Sequence, residues 1–289
     1  ATMKRLIVNA DDLGADEARN RGIFEAIDAG VVTSVSLLAN GPSFEDAARR
    51  IRNLDPGRIS PGLHFNLSEG VPVAAGLKLL TGSDGRFPGK GAAQQLLTQQ
   101  QGPELEAEIQ RELSAQITAL RDRGIKPNHL DGHQHVHILP AAVRPVIEVM
   151  REHGITWIRI PSERAGCFRH ESVSPALAEE ARFFAGHAEA ARALLPGSGV
   201  CSTDHFYGLY FKGRLPAFRW LEFLDSIPPG LSELMVHPGR TAAGPVFGPF
   251  SAFSTRDRES ELEALTDGRF RRAVSETGIE IVPFPEAPI

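Results

Sequence analysis

The chain has 289 residues, 42% hydrophobic and 23% charged, with a net charge of −5. This is a globular balance, with enough Leu, Ile, Val and Phe for a full core, and the length suits an α/β barrel or a large single-sheet enzyme. No apolar run reaches the ~20 residues of a membrane span, no Lys/Arg stripe points to nucleic acid, and Cys167 and Cys201 alone make no disulfide framework. Met3-Lys4-Arg5 leads directly into a strand-like run and not into a signal peptide, so a cytoplasmic setting is the default expectation.

From residue 3 onward the chain reads as alternating strands and helices. Lys4 to Ala10 is a short strand ending in Asp11-Asp12, and residues 15 to 29 form a helix with Ile23, Phe24 and Ile27 on one face and Gly30 as its stop. Thr33 to Leu38 is the next strand. Ser43 and Asp46 resemble a capping box opening a second helix, and Ile59 to Leu67 is a strand carrying His64. Residues 71 to about 101, rich in Gly and Gln, read as an irregular excursion. Leu105, Ile109, Leu113, Ile117 and Leu120 then mark a helix by their spacing, with Glu, Gln and Arg between them.

Asn128 to Asp131 is a strand, followed by a histidine cluster, a helix with Val143, Val146, Ile147 and Met150 inward, and a strand from Trp157 to Ile160. Residues 161 to about 213 form a second excursion whose Arg164, Phe168, Arg169, His170, Phe206, Tyr207 and Tyr210 suit either a substrate-facing cap or simple packing. A strand at Leu234 to Val236, a helix from about Arg258 to Thr277 and a strand from Gly278 to Val282 complete the chain.

Repeated strand-helix order implies a parallel sheet with helices outside. With seven or so strands and no glycine-rich phosphate loop, one distorted (β/α) barrel, TIM-barrel-like and spanning residues 3–289, fits better than an open doubly wound sheet. The polar clusters fall at strand ends, where barrels carry their active sites.

Four elements carry chemistry. Adjacent carboxylates such as Asp11-Asp12 repel unless a cation or donors offset them; they suit a metal ligand beside a base, or equally a turn with a helix cap. His64 suits a ligand or a hydrogen-bonded core residue. The stretch His129-Leu130-Asp131-Gly132-His133-Gln134-His135-Val136-His137 holds four of the ten histidines. Imidazoles beside an Asp suit zinc and related divalent ions, and Asp131 can orient a ligand imidazole as an outer acceptor. His237, before Pro238-Gly239, ends a late strand.

At these residues the sequence resembles the YdjC-like carbohydrate deacetylases, a family that includes chitooligosaccharide deacetylases and a hopanoid-biosynthesis branch. The matching pieces are Val8 to Gly14, Gly30 to Ser34, Gly62 to Phe65, His129 to His137 and Met235 to Gly239. The resemblance implies a distorted barrel and one divalent metal ion, magnesium or zinc, held by Asp12, His64 and His133. His137 is the alternative third ligand if its segment is helical, since i,i+4 residues share a face.

It implies a hydrolase that removes an N-acetyl group from an amino sugar and releases acetate, with Asp11 as general base and His237 as the acid to the leaving amine. Arg159 would orient Asp11 or bind sugar, or form a structural ion pair. His135 would support the ligands with Asp131, and Phe206, Tyr207 and Tyr210 would stack on sugar rings. A homodimer is compatible with the sequence. The competing readings are another metal hydrolase such as a phosphoesterase, which would need two metal ions, and a non-catalytic sugar-binding or regulatory protein.

Overall fold

The computed structural model describes residues 3–163, 168 and 173–288. Arg164, Cys167, Arg169 and His170, named above, lie outside them. In chain order the main elements are β1 (Lys4–Leu13), α1 (Glu17–Asp28), β2 (Ser34–Leu37), α2 (Phe44–Arg52), β3 (Ser60–Phe65), α3 (Lys90–Gln99), α4 (Pro103–Arg121), β4 (His129–Gly132) and α5 (Val143–His153). There follow β5 (Trp157–Ile158), α6 (Pro175–Arg192), β6 (His205–Tyr207), α7 (Trp220–Ser226), β7 (Gly230–Val236), α8 (Arg256–Thr266), α9 (Arg269–Thr277) and β8 (Glu280–Ile281).

The strands run in the order β5-β4-β3-β2-β1-β7-β6, and all pairs are parallel. β8 pairs with Arg5 and Leu6, the part of β1 that precedes its pairing with β2. Trp157 of the edge strand β5 forms a parallel bridge with Cys201, four residues before the other edge strand β6, and the sheet curls into a distorted barrel.

Both faces of β1 are covered, which is why its burial does not alternate from Leu6 to Leu13. Leu6, Val8 and Ala10 join the core under the helices. The alternate residues face the interior in layers. At the floor, Ile7 packs with Trp157, Leu231 and Phe284. Above it, Ser34 Oγ donates to Asn9 Oδ1 at 2.7 Å and lies 2.9 Å from His129 Nε2. The charged layer lies toward the C-terminal mouth, where Asp11 and Asp131 stand two residues beyond Asn9 and His129 on their strands and Glu233 joins them through Arg159. Gly62 is required here: a Cβ would meet the His129 ring at 2.2 Å.

The C-terminal tail plugs the barrel floor. Phe284 N donates to Ser60 Oγ at 3.0 Å, Trp157 Nε1 donates to Pro285 O at 2.8 Å, and the Phe284 ring stacks on His129 at 4.2 Å. Phe284→Ala is expected to lower stability by about 3–5 kcal/mol through the cavity it leaves. Urea unfolding checks this, and a loss below about 1 kcal/mol would remove the tail from the core.

Several expectations are corrected. The first excursion contains α3, whose Ala- and Gln-rich sequence buries only Ala93 and Leu97 and so carries a faint pattern. Its irregular part is gripped by α4. Glu112 accepts from Val73 N and Ala74 N at 2.9 and 2.8 Å, and Glu108 accepts from Lys78 N, Leu79 N and Leu80 N at 2.7 to 3.0 Å. These acids, which helical spacing assigns to a solvent face, are therefore buried.

The second excursion contains α6 and β6. Ser43 makes no side-chain capping bond; Asp46 instead accepts from Asn20 Nδ2 at 3.0 Å. The last helix is two, α8 and α9, broken at Gly268, whose φ is 97°.

Candidate active site and metal centre

The site begins with an irregularity in β1. Ala10 pairs with Val35 but Leu13 pairs with Leu37, so β1 carries one extra residue, and Asp12 is left-handed with φ 65°. In a regular strand Asp11 and Asp12 would face opposite sides. The bulge turns Asp12 so that both carboxylates reach the mouth, a conformation Asp tolerates better than most residues.

Asp12 Oδ1 lies 3.1 Å from His64 Nε2 and 3.1 Å from His133 Nδ1. The ligating atoms of the three residues all lie within 4.8 Å of one another. Each imidazole is held from behind: His64 Nδ1 donates to Asp131 Oδ1 at 2.6 Å, and His133 Nε2 donates to Glu69 Oε2 at 2.6 Å. Fixing the proton on the outer nitrogen leaves a lone pair on the inner one, the state a metal ligand needs. Burial pushes the His64 imidazole down, but Asp131 and Asp12 carry it up to about 10, so the inner nitrogen holds a proton that a bound cation would displace. A negative centre facing two imidazoles attracts positive charge, so the donor set fits a divalent cation.

Behind this triad stands Arg159, immediately after β5. Its Nη1 and Nη2 donate to Asp11 Oδ2 and Oδ1 at 2.8 and 2.7 Å. Nη2 also lies 3.0 Å from Asp131 Oδ2 and 2.8 Å from Glu233 Oε1. Burial would raise the Asp11 carboxyl, yet Arg159 holds it well below the usual carboxylate range. Burial drives Glu233 up to about 7 in spite of the same guanidinium. Asp11, His64 and Asp131 form a second close group, but the guanidinium between its two carboxylates already fills the role a second cation would take.

A cavity of about 360 Å³ opens over these groups, lined by Asp11, Asp12, His64, Glu69, His133, His135 and His237 together with Leu177, Lys212, Met235, Phe250 and Phe253. His237 Nε2 stands 3.6 Å from Asp11 Oδ2, and its backbone N–H is held by Glu261 Oε1 at 3.0 Å.

The remaining sequence candidates are placed as follows. His137 is not in the close Asp12-His64-His133 group; its Nε2 donates to Arg159 O at 2.8 Å. The i,i+4 argument fails because His133–Ile138 is a 3-10 stretch broken at Gln134 and His135, both left-handed at φ 54° and 55°. Two adjacent non-glycine residues there mark local strain. Gly132 permits the fold-back, since a Cβ would meet His137 Nδ1 at 2.5 Å. His135 lines the cavity and sets its ring edge-on against Phe184 at 4.7 Å; it does not support the triad ligands.

The three aromatics do not line the cavity. Phe206 is buried, with the Arg159 guanidinium 5.5 Å from its ring centre, and Tyr207 packs edge-on against Phe223. Tyr210 joins the buried cluster of Phe206, Leu209 and Met235, and Leu209 provides the wall in its place. Glu163 Oε2 orders that turn by accepting from Gly208 N and Leu209 N at 3.0 and 2.8 Å.

Sequence reasoning missed Glu69, Glu233, Glu163 and Phe250. Glu233 had a signal, an acid inside the apolar strand Leu231 to Val236, because a charge in such a place requires a partner. Glu69 lies in an ordinary Ser-Glu-Gly loop and gave none.

An Asp-His-His group at the C-terminal mouth of a parallel barrel, with a carboxylate and a histidine facing the same cavity, is the arrangement of a metal-site barrel enzyme. The chain belongs to the YdjC-like protein family, whose pattern matches residues 5–276. A Mus musculus protein named carbohydrate deacetylase is 37% identical over 96% of this chain and 93% of its own length. A Geobacillus stearothermophilus protein of the same name is 31% identical over 97% of this chain and 96% of its own. An Enterococcus faecalis V583 structure, provisionally described as a cellobiose-phosphate cleavage protein, shares the fold with a TM-score of 0.72, covering 98% of each chain at 23% identity. Among the described residues, no helix is long and apolar enough to cross a membrane.

Proposed function

We propose that this chain is a divalent-metal-dependent carbohydrate deacetylase that hydrolyses the N-acetyl group of an amino sugar or chitooligosaccharide and releases acetate, with residues 3–289 acting as one catalytic barrel. The observation that carries the reading is Asp12 Oδ1 equidistant from His64 Nε2 and His133 Nδ1, in a cavity that also presents Asp11 and His237. The family relatives supply the substrate class.

Asp12, His64 and His133 would hold the ion. When bound, it supplies positive charge that lowers the pKa of water from ~15.7 toward ~7 and stabilises charge developing on the acetamide oxygen. Two imidazoles and one carboxylate suit zinc better than magnesium, which prefers oxygen donors.

Asp11, kept ionised by Arg159, takes the proton from the attacking water. Its low basicity would suffice where a bound ion acidifies that water. Arg159 is buried and acts by orienting Asp11, not by touching sugar. His237, beside Asp11 on the open side, gives its proton to the departing amine nitrogen, without which amide cleavage stalls. Leu209, Met235, Phe250 and Phe253 offer apolar surface to the sugar.

Acetate release from chitooligosaccharides, with and without a chelator, tests the reading. Asp11→Asn is expected to keep the metal and lose about 10²–10⁴-fold in kcat; full activity in that variant would remove Asp11 as base. A requirement for two ions per chain would favour a phosphoesterase.

A further inference from the structure

The segment that runs from β7 into α8 returns over the cavity at Phe250. Residues 242–245 leading to it are exposed, whereas Phe250 is buried and left-handed with φ 66°. Its conformation is held from both ends by groups that also touch the triad. Phe250 N donates to Glu69 Oε1 at 3.2 Å, while the other oxygen of Glu69 accepts from His133 at 2.6 Å. Phe250 O accepts from Arg19 Nη2, and Arg19 Nη1 lies 3.6 Å from Asp12 Oδ2. The Phe250 ring stands edge-on to His133 at 5.1 Å. Asp16 closes the frame, accepting from Arg19 Nε at 2.8 Å and from Ser254 Oγ at 2.6 Å.

We propose that Glu69 is a positioning residue that joins His133 to Phe250, so that filling the Asp12-His64-His133 site orders the Phe250 strap forming the sugar-side wall of the cavity. The proposal rests on the metal-site reading above. The logic is one of shared partners. An ion on His133 Nδ1 fixes the imidazole and keeps the proton on Nε2, which orients Glu69; the second oxygen of Glu69 is then aimed at the Phe250 N–H. An ion on Asp12 likewise fixes the carboxylate facing Arg19, which holds the Phe250 carbonyl. Without an ion the imidazole and the carboxylate are held only by these hydrogen bonds, so the two anchors of the strap weaken together. Glutamine cannot replace Glu69, because its amide offers one acceptor where the carboxylate meets two donors.

Hydrogen exchange of residues 246–255, measured on the full chain with chelator and then with zinc, tests this. In the wild type, zinc is expected to slow exchange of this segment by about tenfold or more. In Glu69→Gln the slowing is expected to fall below about threefold, zinc affinity to drop about 10–100-fold, and KM at saturating zinc to rise more than kcat falls. Zinc that binds the wild type yet leaves the strap unchanged would overturn the coupling, as would a Glu69→Gln strap that responds like the wild type. Failure of zinc to bind the wild type would instead overturn the site reading. If Glu69→Gln does not fold, the wild-type comparison with and without zinc still decides.

Discussion

Asp12→Ala is expected to lose metal binding and acetate release together, while the metal-free protein keeps its fold. Among the described residues Asp12 is the carboxylate that faces the inner nitrogens of both imidazoles, so its removal leaves two neutral nitrogen donors and no anionic one. Charge stabilisation by a catalytic metal is worth several kcal/mol, and at about 1.4 kcal/mol per tenfold its loss corresponds to a fall of about 10³-fold or more in kcat/KM. The fold should tolerate the change because His64 and His133, unlike a guanidinium, can shed their charge once Asp12 is gone. An alanine at φ 65° adds strain of about 1–2 kcal/mol, and Asp12→Asn, which accepts that backbone more readily, separates this strain from the lost charge. Isothermal titration with zinc and acetate release measure the two effects. Near-normal zinc affinity in both variants would remove Asp12 from the site.

Arg159→Met is expected to be the most destabilising single change near the cavity. One guanidinium ties Asp11 on β1, Asp131 on β4 and Glu233 on β7, and all four residues are buried. Methionine fills most of the space but leaves those carboxyl groups facing each other. Removing one partner of a buried ion pair costs about 3–5 kcal/mol, because the remaining charge is uncompensated. Activity should fall as well, since Asp11 loses the two guanidinium donors and keeps only the weaker hold of Asn9 Nδ2 at 2.8 Å and Ser36 Oγ at 3.5 Å. Arg159→Lys is not a rescue, because one ammonium cannot reproduce a fork that spans three carboxyl groups. Urea unfolding of the metal-free proteins reads the cost, and a change under about 1 kcal/mol would show that Arg159 does not organise the interior.

How much of this was readable from the sequence depended on whether the signal was local. The strand-helix alternation was visible because apolar periodicity is local, and α4 stood out by its Leu and Ile spacing. α3 and β6 were hidden, one by its Ala- and Gln-rich sequence, the other by being only three residues long. Asp12, His64 and His133 were marked by residue type at strand ends, but the bulge that turns Asp12 inward was not, since it is a matter of pairing register. The same limit explains His137: spacing of four suggests a shared helical face, whereas two left-handed residues break the turn. The aromatics of 206–210 suited either a sugar-facing cap or packing by residue type, and the structure puts Phe206 beside Arg159 and Tyr207 against Phe223. Glu69 and Phe250, separated by about 180 positions in sequence, meet only in three dimensions.

The most direct test of the central claim is a zinc titration of the chelator-stripped chain, following acetate release from a chitooligosaccharide. The expected result is negligible activity without metal and full recovery at about one ion per chain, with no recovery in Asp12→Ala. Acetate release that persists in the stripped protein, or that needs two ions, would contradict it.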